Sequence, residues 1–454
     1  MRYIRFLSRF FVGLVFIFSG FVKAVDPLGS AYKFADYFTA FKLGFFEFLA
    51  LPMGIFLSAF ELVLGIVLIL GYRRKAMFTI LMWFMSFFTL LTLILAIFNP
   101  VSDCGCFGDA LILTNWQTFF KNLVLMVFVL ILYSGRNKDI NETSPLKEWI
   151  LVGSLFVLAS IFSFWNFNHL PLIDFRPYDV GTVIGEEMEI PDGMPVDEYE
   201  TTLIYKNKET GKENSFTMDN YPKDTLNWEF VSSESRLVKR GYEPPIHDFA
   251  IMDEYGDDLV DGILSDEGYS LIMVSYKLDG ADKGALVRAG EWSQLEIFAS
   301  DFSFYAVTAT TSAEVESISD ELDLRYDFLA GDEIMLKTIV RSNPGFMLIK
   351  NGAILGKWAY RDFPLPEELD PTWSELIGNM SAPMDEDLDE DEQLLMDAGV
   401  YDDFSFDVLD FDHFIPELLL KEEAGKREKG VGLAFILAVL AVVVFSGYIS
   451  PLRL

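Results

Sequence analysis

Cysteine and histidine are nearly missing from this 454-residue chain, which holds two of the first and three of the second. Two thiols rule out a disulfide-rich scaffold, a Cys-only structural zinc site and a self-contained cluster site needing four thiolates. The histidines, His169, His247 and His413, are scattered and show no ligand spacing, so no metal site is expected. Positive charge is also short: 35 Lys and Arg stand against 68 Asp and Glu, a formal net charge of −33. A negative field of that size repels phosphates, so nucleic acid is excluded as a partner. The chain has no glycine-rich nucleotide loop, no hydrolase nucleophile elbow and no internal repeat.

What it has in excess is apolar mass: 51% hydrophobic residues, with 43 Phe. Apolar bulk and heavy charge cannot share one surface, so they must be segregated along the chain. Residues 1–165 hold 13 Lys/Arg and 9 Asp/Glu, a balance of +4, and the remainder holds 22 and 59, a balance of −37. A bilayer core of about 30 Å takes roughly 20 apolar residues per helix. Five such runs come early, over 4–24, 45–71, 76–98, 119–133 and 149–167, and a sixth, 431–449, stands alone near the end. The first is long, Phe-rich and followed by no small-x-small cleavage site, so it reads as a retained span rather than a signal peptide.

Basic residues cluster before the first run (Arg2, Arg5, Arg9), between the second and third (Arg73, Arg74, Lys75) and between the fourth and fifth (Arg136, Lys138, Lys147). The positive-inside rule then puts the N-terminus in the cytoplasm, the loops 26–42 and 100–115 outside, and residues 169–429 in the extracytoplasmic or periplasmic space. Lys421, Lys426, Arg427 and Lys429 point the other way for the last run alone. The expected location is a bacterial cytoplasmic (inner) membrane, crossed several times, with the lipid bilayer as first partner.

Both cysteines fall in the second outer loop, in Val101-Ser-Asp-Cys-Gly-Cys-Phe-Gly-Asp109. A Cys-x-Cys pair closes only a small ring, so its disulfide is strained and easily reduced, which suits exchange chemistry better than stapling. Gly105 and Gly108 allow the tight backbone this demands, and Asp103, Phe107 and Asp109 complete the motif. The pair Cys104/Cys106 is thus the candidate redox site; the alternatives are a loop clip or two inert thiols. Ionisable residues inside apolar runs are the second signal, because each is costly there and usually faces a cavity or a partner. Glu61 lies within the second run and Lys23 ends the first. Paired, they would neutralise one another and could relay charge or protons beside the cysteines; a lysine near a helix end also snorkels to the interface.

Phe18-Ser-Gly-Phe-Val-Lys-Ala-Val-Asp-Pro27, the Glu61-x3-Gly65 helix, the basic 73–75 turn and the Asp-Cys-Gly-Cys-Phe-Gly-Asp loop together resemble the DoxX-like membrane proteins. Within them, residues 1–135 are most similar to the branch of the methylamine-utilisation protein MauE. That resemblance implies a four-helix membrane bundle and a role in thiol–disulfide or quinone-linked electron transfer, with a quinone as the implied cofactor or partner.

Beyond a fifth membrane helix over 148–168, residues 178–243 show short mixed runs between turns and predict a small β-rich segment. Over 244–366 the order becomes strand 269–276, helix 285–299, strand 304–309, helix 312–324, a short helix 334–340 and an Asn351-Gly352 hairpin. This resembles a thioredoxin fold of the peroxiredoxin or TlpA-like type, with Pro344 in the position of its cis-proline. Where that fold carries Cys-x-x-Cys, the chain reads Leu278-Asp-Gly-Ala-Asp282, so this domain has no thiol of its own. The acid run 384–392 lacks the ligand spacing of an EF-hand, and 367–429 reads as a solvated linker before a C-terminal helix over 430–450. The expected fold class is therefore an α-helical membrane bundle, a four-helix core plus two further spans, with an extracytoplasmic α/β thioredoxin-like domain. Its expected function is redox exchange at the Cys104/Cys106 loop. The rival is a non-enzymatic anchor whose acidic domain docks an extracytoplasmic protein partner.

Overall fold

A computed structural model describes residues 2–72, 74–137, 145–191, 193–295 and 302–365. The expected acidic linker 367–429 and the C-terminal helix 430–450 lie outside the described residues.

The apolar runs become helices α1 (Arg2–Val25), α3 (Ala50–Leu70), α4 (Arg74–Phe98), α5 (Asn115–Ser134) and α6 (Pro145–Asn168). All five are long and apolar enough to cross a membrane. They share one core in which Val12, Leu62, Val67, Leu81, Val129 and Leu155 are buried. The helix expected to stand as a fifth, separate span, α6, contributes Leu151, Leu155 and Ala159 to that same core. Tight approach of α1 to α3 is made by small residues, since lipid offers no hydrophobic drive between helices and packing must do the work. A Cβ on Gly20 would stand 2.3 Å from the Leu62 nitrogen, and one on Gly65 would stand 2.7 Å from the Gly13 carbonyl oxygen. That contact brings the last turns of α1 against the middle of α3.

The expected outer loop 26–42 is corrected: residues Pro27–Ala40 form a helix, α2. Pro27 occupies its first turn, where no amide donor is needed, and Asp26 caps it by accepting a hydrogen bond from the Gly29 amide at 2.8 Å. Its mixture of Tyr, Phe, Lys and Asp is too polar for a span, which is why apolar run length did not reveal it. A 3-10 turn, Gly44–Leu49, then leads into α3.

Residues 250–365 build a six-stranded sheet from β4 (Ile251–Met252), β5 (Tyr269–Ser275), β6 (Phe302–Thr308), β7 (Phe328–Gly331), β8 (Gly345–Lys350) and β9 (Ala353–Ala359), in the order β4-β7-β6-β5-β8-β9. Strands β5, β6 and β7 run parallel, while β8, β9 and β4 are antiparallel to their neighbours. Every residue of β5 is buried, as a strand covered on both faces requires. Helices α9 (Lys283–Leu295) and α10 (Ser312–Leu322) pack Leu286, Trp292, Val315 and Ile318 on one face. Helix α11 (Glu333–Ile339) buries Met335, Leu336 and Ile339. Strands β4 and β7 and helix α8 (Val260–Ser265) escaped the sequence pattern because two to six residues show no period. The segment leaving α6 is pinned to this sheet. Asp174 accepts from Arg176 Nε and Lys357 Nζ at 2.7 Å each, Arg176 Nη1 donates to the Thr338 carbonyl at 2.7 Å, and Lys357 also donates to the Tyr178 carbonyl at 2.8 Å.

Residues Thr182–Phe249 form a second compact unit. After the short helix α7 (Ile184–Met188) it is an antiparallel sheet of β1 (Glu198–Asn207), β2 (Glu213–Thr217) and β3 (Trp228–Lys239), ordered β2-β1-β3. One face gathers Tyr205, Phe216, Tyr221, Trp228 and Phe230 in ring contact.

Candidate functional site

The loop between α4 and α5 is drawn tight at its base. Asn115 Nδ2 donates to Asn99 Oδ1 and to the Val101 carbonyl at 2.8 Å each, and Thr114 with Gln117 forms a capping box that starts α5. Within it Asp103 Oδ1 accepts from the Gly105 amide at 2.8 Å, and Gly105 takes φ +64°. A side chain there would be strained by that φ and would meet Lys33 Cγ at 2.9 Å. The fold so produced sets the Cys104 and Cys106 sulfurs 3.2 Å apart, both thiols free.

Two helices hold the loop by its carbonyls. Tyr37 of α2 donates to the Cys104 carbonyl at 2.7 Å, and Lys33 of α2 pairs with Asp103 at 2.6 Å. Ser19 Oγ of α1 lies 2.7 Å from both the Cys106 carbonyl oxygen and Glu61 Oε2, and its single proton serves one of them at a time. Lys23 Nζ donates to Glu61 Oε2 at 2.8 Å and to Ser19 Oγ at 3.2 Å. The Lys23 and Glu61 side chains are 8% and 6% exposed, so each is the other's main compensation for leaving water. The glycine contact between α1 and α3 is what lets them meet.

Beside this group lies a cavity of about 390 Å³. Its polar end is made of Cys104, Cys106, Ser19, Lys23, Glu61, Lys121 and Asn122, and the rest is largely Phe and Leu, with Phe34, Phe38, Phe84 and Phe88 among the walls. Phe56 and Phe87 also line it and are 58% and 62% exposed, so it opens on the flank of the bundle, where a bilayer would cover it. Phe107 packs on Phe18 at 5.4 Å and carries Lys121 Nζ 4.3 Å above its ring.

The two thiols differ. The hydrogen bond from Cys104 lowers the Cys106 thiol to about 6; burial works against it, and the Lys121 and Lys23 ammonium groups assist. The same hydrogen bond, with burial, pushes the Cys104 thiol up. Only the thiolate is alkylated, so the reduced protein should react with iodoacetamide at a rate that rises through about pH 6 and is flat above pH 7. A rate still climbing near pH 8.5, where an ordinary thiol titrates, would contradict this assignment.

Of the residues singled out in the sequence, Cys104, Cys106, Gly105, Phe107, Lys23 and Glu61 line the cavity. Asp103 sits behind it on Lys33, and Gly108 and Asp109 form the 3-10 turn that ends the loop. The Asn343–Pro344 peptide bond is cis, and Pro344 lies outside the cavity. Ser19, Lys33, Tyr37 and Lys121 join the site without having been singled out; the last stands in the Phe-Lys-Asn that follows Trp116, an isolated cation in an apolar run that could have been flagged as Glu61 was. Arg341 Nη2 reaches Asp109 at 2.6 Å, which puts the six-stranded region on the same side of the bundle as the cysteine loop. His169 pairs with Asp362 at 2.7 Å, away from the thiols.

A five-helix apolar bundle, with a dithiol loop over a lateral cavity and an α/β region on the loop's side, defines a multi-pass membrane protein with a paired-thiol site. The family model described as methylamine utilisation protein MauE matches residues 1–135, which hold α1 to α5 and the whole loop. A domain of unknown function, DUF8463, matches residues 199–240, the three-stranded sheet. No curated protein matches the chain. Among solved structures, a solution structure described as a protein disulfide isomerase from Bacteroides thetaiotaomicron is similar at 14% identity and TM-score 0.23, covering 29% of this chain and 84% of that one.

Proposed function

We propose that this membrane protein carries out thiol–disulfide redox chemistry, with the Cys104/Cys106 pair on the extracytoplasmic side passing electrons to a quinone in the lateral cavity. The observation that carries this reading is convergence: the chain's only two thiols and the buried Lys23–Glu61 pair meet at the polar end of one Phe-lined cavity. Closing the Cys104–Cys106 bond converts two thiols to a disulfide and gives up two electrons and two protons. A quinone, when bound, supplies an acceptor for both.

The residues present fit such a group. The cavity volume lies within the usual range for small-molecule sites, about 300–1,000 Å³, and its walls are apolar with a few polar groups at one end. Lys23, Lys121, Ser19 and Asn122 would hold a polar ring, and Phe34, Phe84 and Phe88 an apolar tail. The chain's own part is electrostatic and positional. Lys121 and Lys23 favour the Cys106 thiolate, Tyr37 and Ser19 fix the loop carbonyls, and the contiguous Ser19–Glu61–Lys23 hydrogen bonds can hold and hand on a proton. The MauE match over 1–135 supports the reading, and so do the basic clusters, which by the positive-inside rule favour an outside loop. The α/β region, thioredoxin-like in strand order and without a thiol at 278–282, serves in this reading as a cap rather than a second redox centre.

The test is a single turnover. Reduced full-length protein in lipid nanodiscs, mixed with a fully ring-substituted short-chain benzoquinone, should yield one free quinol per chain while both thiols become unreactive to alkylation and the chain loses two hydrogens in mass. Thiols that persist beside unreduced quinone would remove the basis for the proposal.

A further inference from the structure

Arg341 lies between α11 and β8, next to the Ser342-Asn343-Pro344 turn, yet its side chain is spent on the membrane bundle. It is 7% exposed. Nε donates to both oxygens of Asp26, at 3.0 and 3.2 Å, Nη2 donates to Asp109 Oδ2 at 2.6 Å, and Nη1 donates to the Lys337 carbonyl of α11. Its guanidinium also lies 5.3 Å from the Tyr32 ring of α2. Both carboxylates have a second duty. Asp26 is the cap of α2, and Asp109 sits in the turn that ends the cysteine loop, three positions after Cys106.

The geometry links these duties. From the helix that Asp26 starts, Lys33 holds Asp103 and Tyr37 holds the Cys104 carbonyl, so α2 grips the front of the loop while Asp109 anchors its back. One guanidinium therefore fixes both grips. A planar fork with five donors can serve two carboxylates and a carbonyl together, which an ammonium cannot do with the same rigidity.

We propose that Arg341 is a positioning residue for the Cys104–Cys106 pair, through which the α/β region clamps the loop and α2 in the shape that brings the two sulfurs together. The proposal rests on the redox reading of that pair. Loosening the clamp lowers the effective concentration of one sulfur at the other and so disfavours the internal disulfide. In exchange with glutathione, one oxidised glutathione converts the protein dithiol to the disulfide and leaves as two reduced glutathiones, so the oxidised-to-reduced ratio of the protein at a fixed buffer reads the clamp directly.

The experiment uses the full chain in nanodiscs across a series of glutathione buffers. Arg341→Ala should lower the ratio at least about fivefold, the low end of coupling between linked sites. Arg341→Lys should fall between it and the wild type. Asp109→Asn, which keeps the shape of the side chain and weakens only the loop arm by removing its charge, should fall in the same direction, and the Arg341→Ala/Asp109→Asn double variant should add little to Arg341→Ala. If Arg341→Ala does not give monodisperse protein, Asp109→Asn decides: a ratio that is unchanged or raised in monodisperse Asp109→Asn overturns the proposal. Should the wild-type pair fail to change state in any buffer, the redox reading falls, and alkylation then judges the clamp alone. In that case a buried Cys104 that reacts at least about fivefold faster in Asp109→Asn than in wild type supports it, and an equal rate overturns it.

Discussion

Cys106→Ser is expected to produce no quinol above the background of free quinone, with the helical bundle intact. One sulfur cannot close an internal disulfide, so the two-electron step is removed rather than slowed. Cys104→Ser should abolish turnover equally, but the sulfur each variant retains should behave differently. In Cys104→Ser the remaining thiol faces Lys121 and Lys23, while in Cys106→Ser it is Cys104, buried and held up by that burial. Replacing Cys104 removes the thiol hydrogen bond that does most to lower Cys106, so in that variant the Lys121 and Lys23 ammonium groups are what still favours its thiolate. Lone Cys106 should therefore be alkylated faster than lone Cys104, followed by mass spectrometry of the intact chain. Residual quinol formation by Cys106→Ser would sink the redox assignment. Equal alkylation rates would instead remove the electrostatic distinction between the two sulfurs.

Glu61→Ala is expected to lower the stability of the bundle by about 3–5 kcal/mol, the effect of leaving one charge of a buried pair without its partner. Lys23 Nζ would keep only Ser19 Oγ, at 3.2 Å, among its hydrogen-bond partners. Replacing both members, as Lys23→Met with Glu61→Met, should restore most of the loss, because two apolar side chains of similar volume need no compensation. Denaturant unfolding of the detergent-solubilised chain would measure both variants. The double variant also separates stability from chemistry. If the Ser19–Glu61–Lys23 group moves protons, quinol formation should fall by roughly 10²-fold in a protein that remains folded. A single Glu61→Ala variant as stable as wild type would show that the pair is solvated, and a fully active double variant would show that protons leave by another route.

The paired-thiol loop, the five spans and the buried ions are local properties of the chain. An apolar run of sufficient length has few fates other than a membrane helix, and a carboxylate inside one is costly without a partner or a cavity, so a Lys23–Glu61 pair could be offered from their surroundings, beside a Lys23 that snorkels to the interface. The Asn351-Gly352 hairpin was legible for the same reason: its two turn residues take φ +52° and +71°, which Asn and Gly tolerate and most residues do not. What needed the tertiary structure were relations between distant segments. Helix α2 is set by its Asp26 cap and its packing rather than by a period, and only packing places Tyr37 on the Cys104 carbonyl. Lys121 meets the thiols because α5 packs beside α4 and α1, and the cavity exists only between helices.

Arg341 is the clearest case, being 232 residues from Asp109 and 315 from Asp26 in the chain. No local pattern encodes such a contact, because an arginine before a strand is ordinary until the fold delivers two carboxylates to it. The sequence by itself determined where the chain meets lipid, where its thiols lie and which charges must be compensated. Those follow from the free energy of each residue in its own surroundings. Which side chains converge on the thiols was decided by close-packed helices and a docked sheet, since that depends on geometry summed over the whole fold.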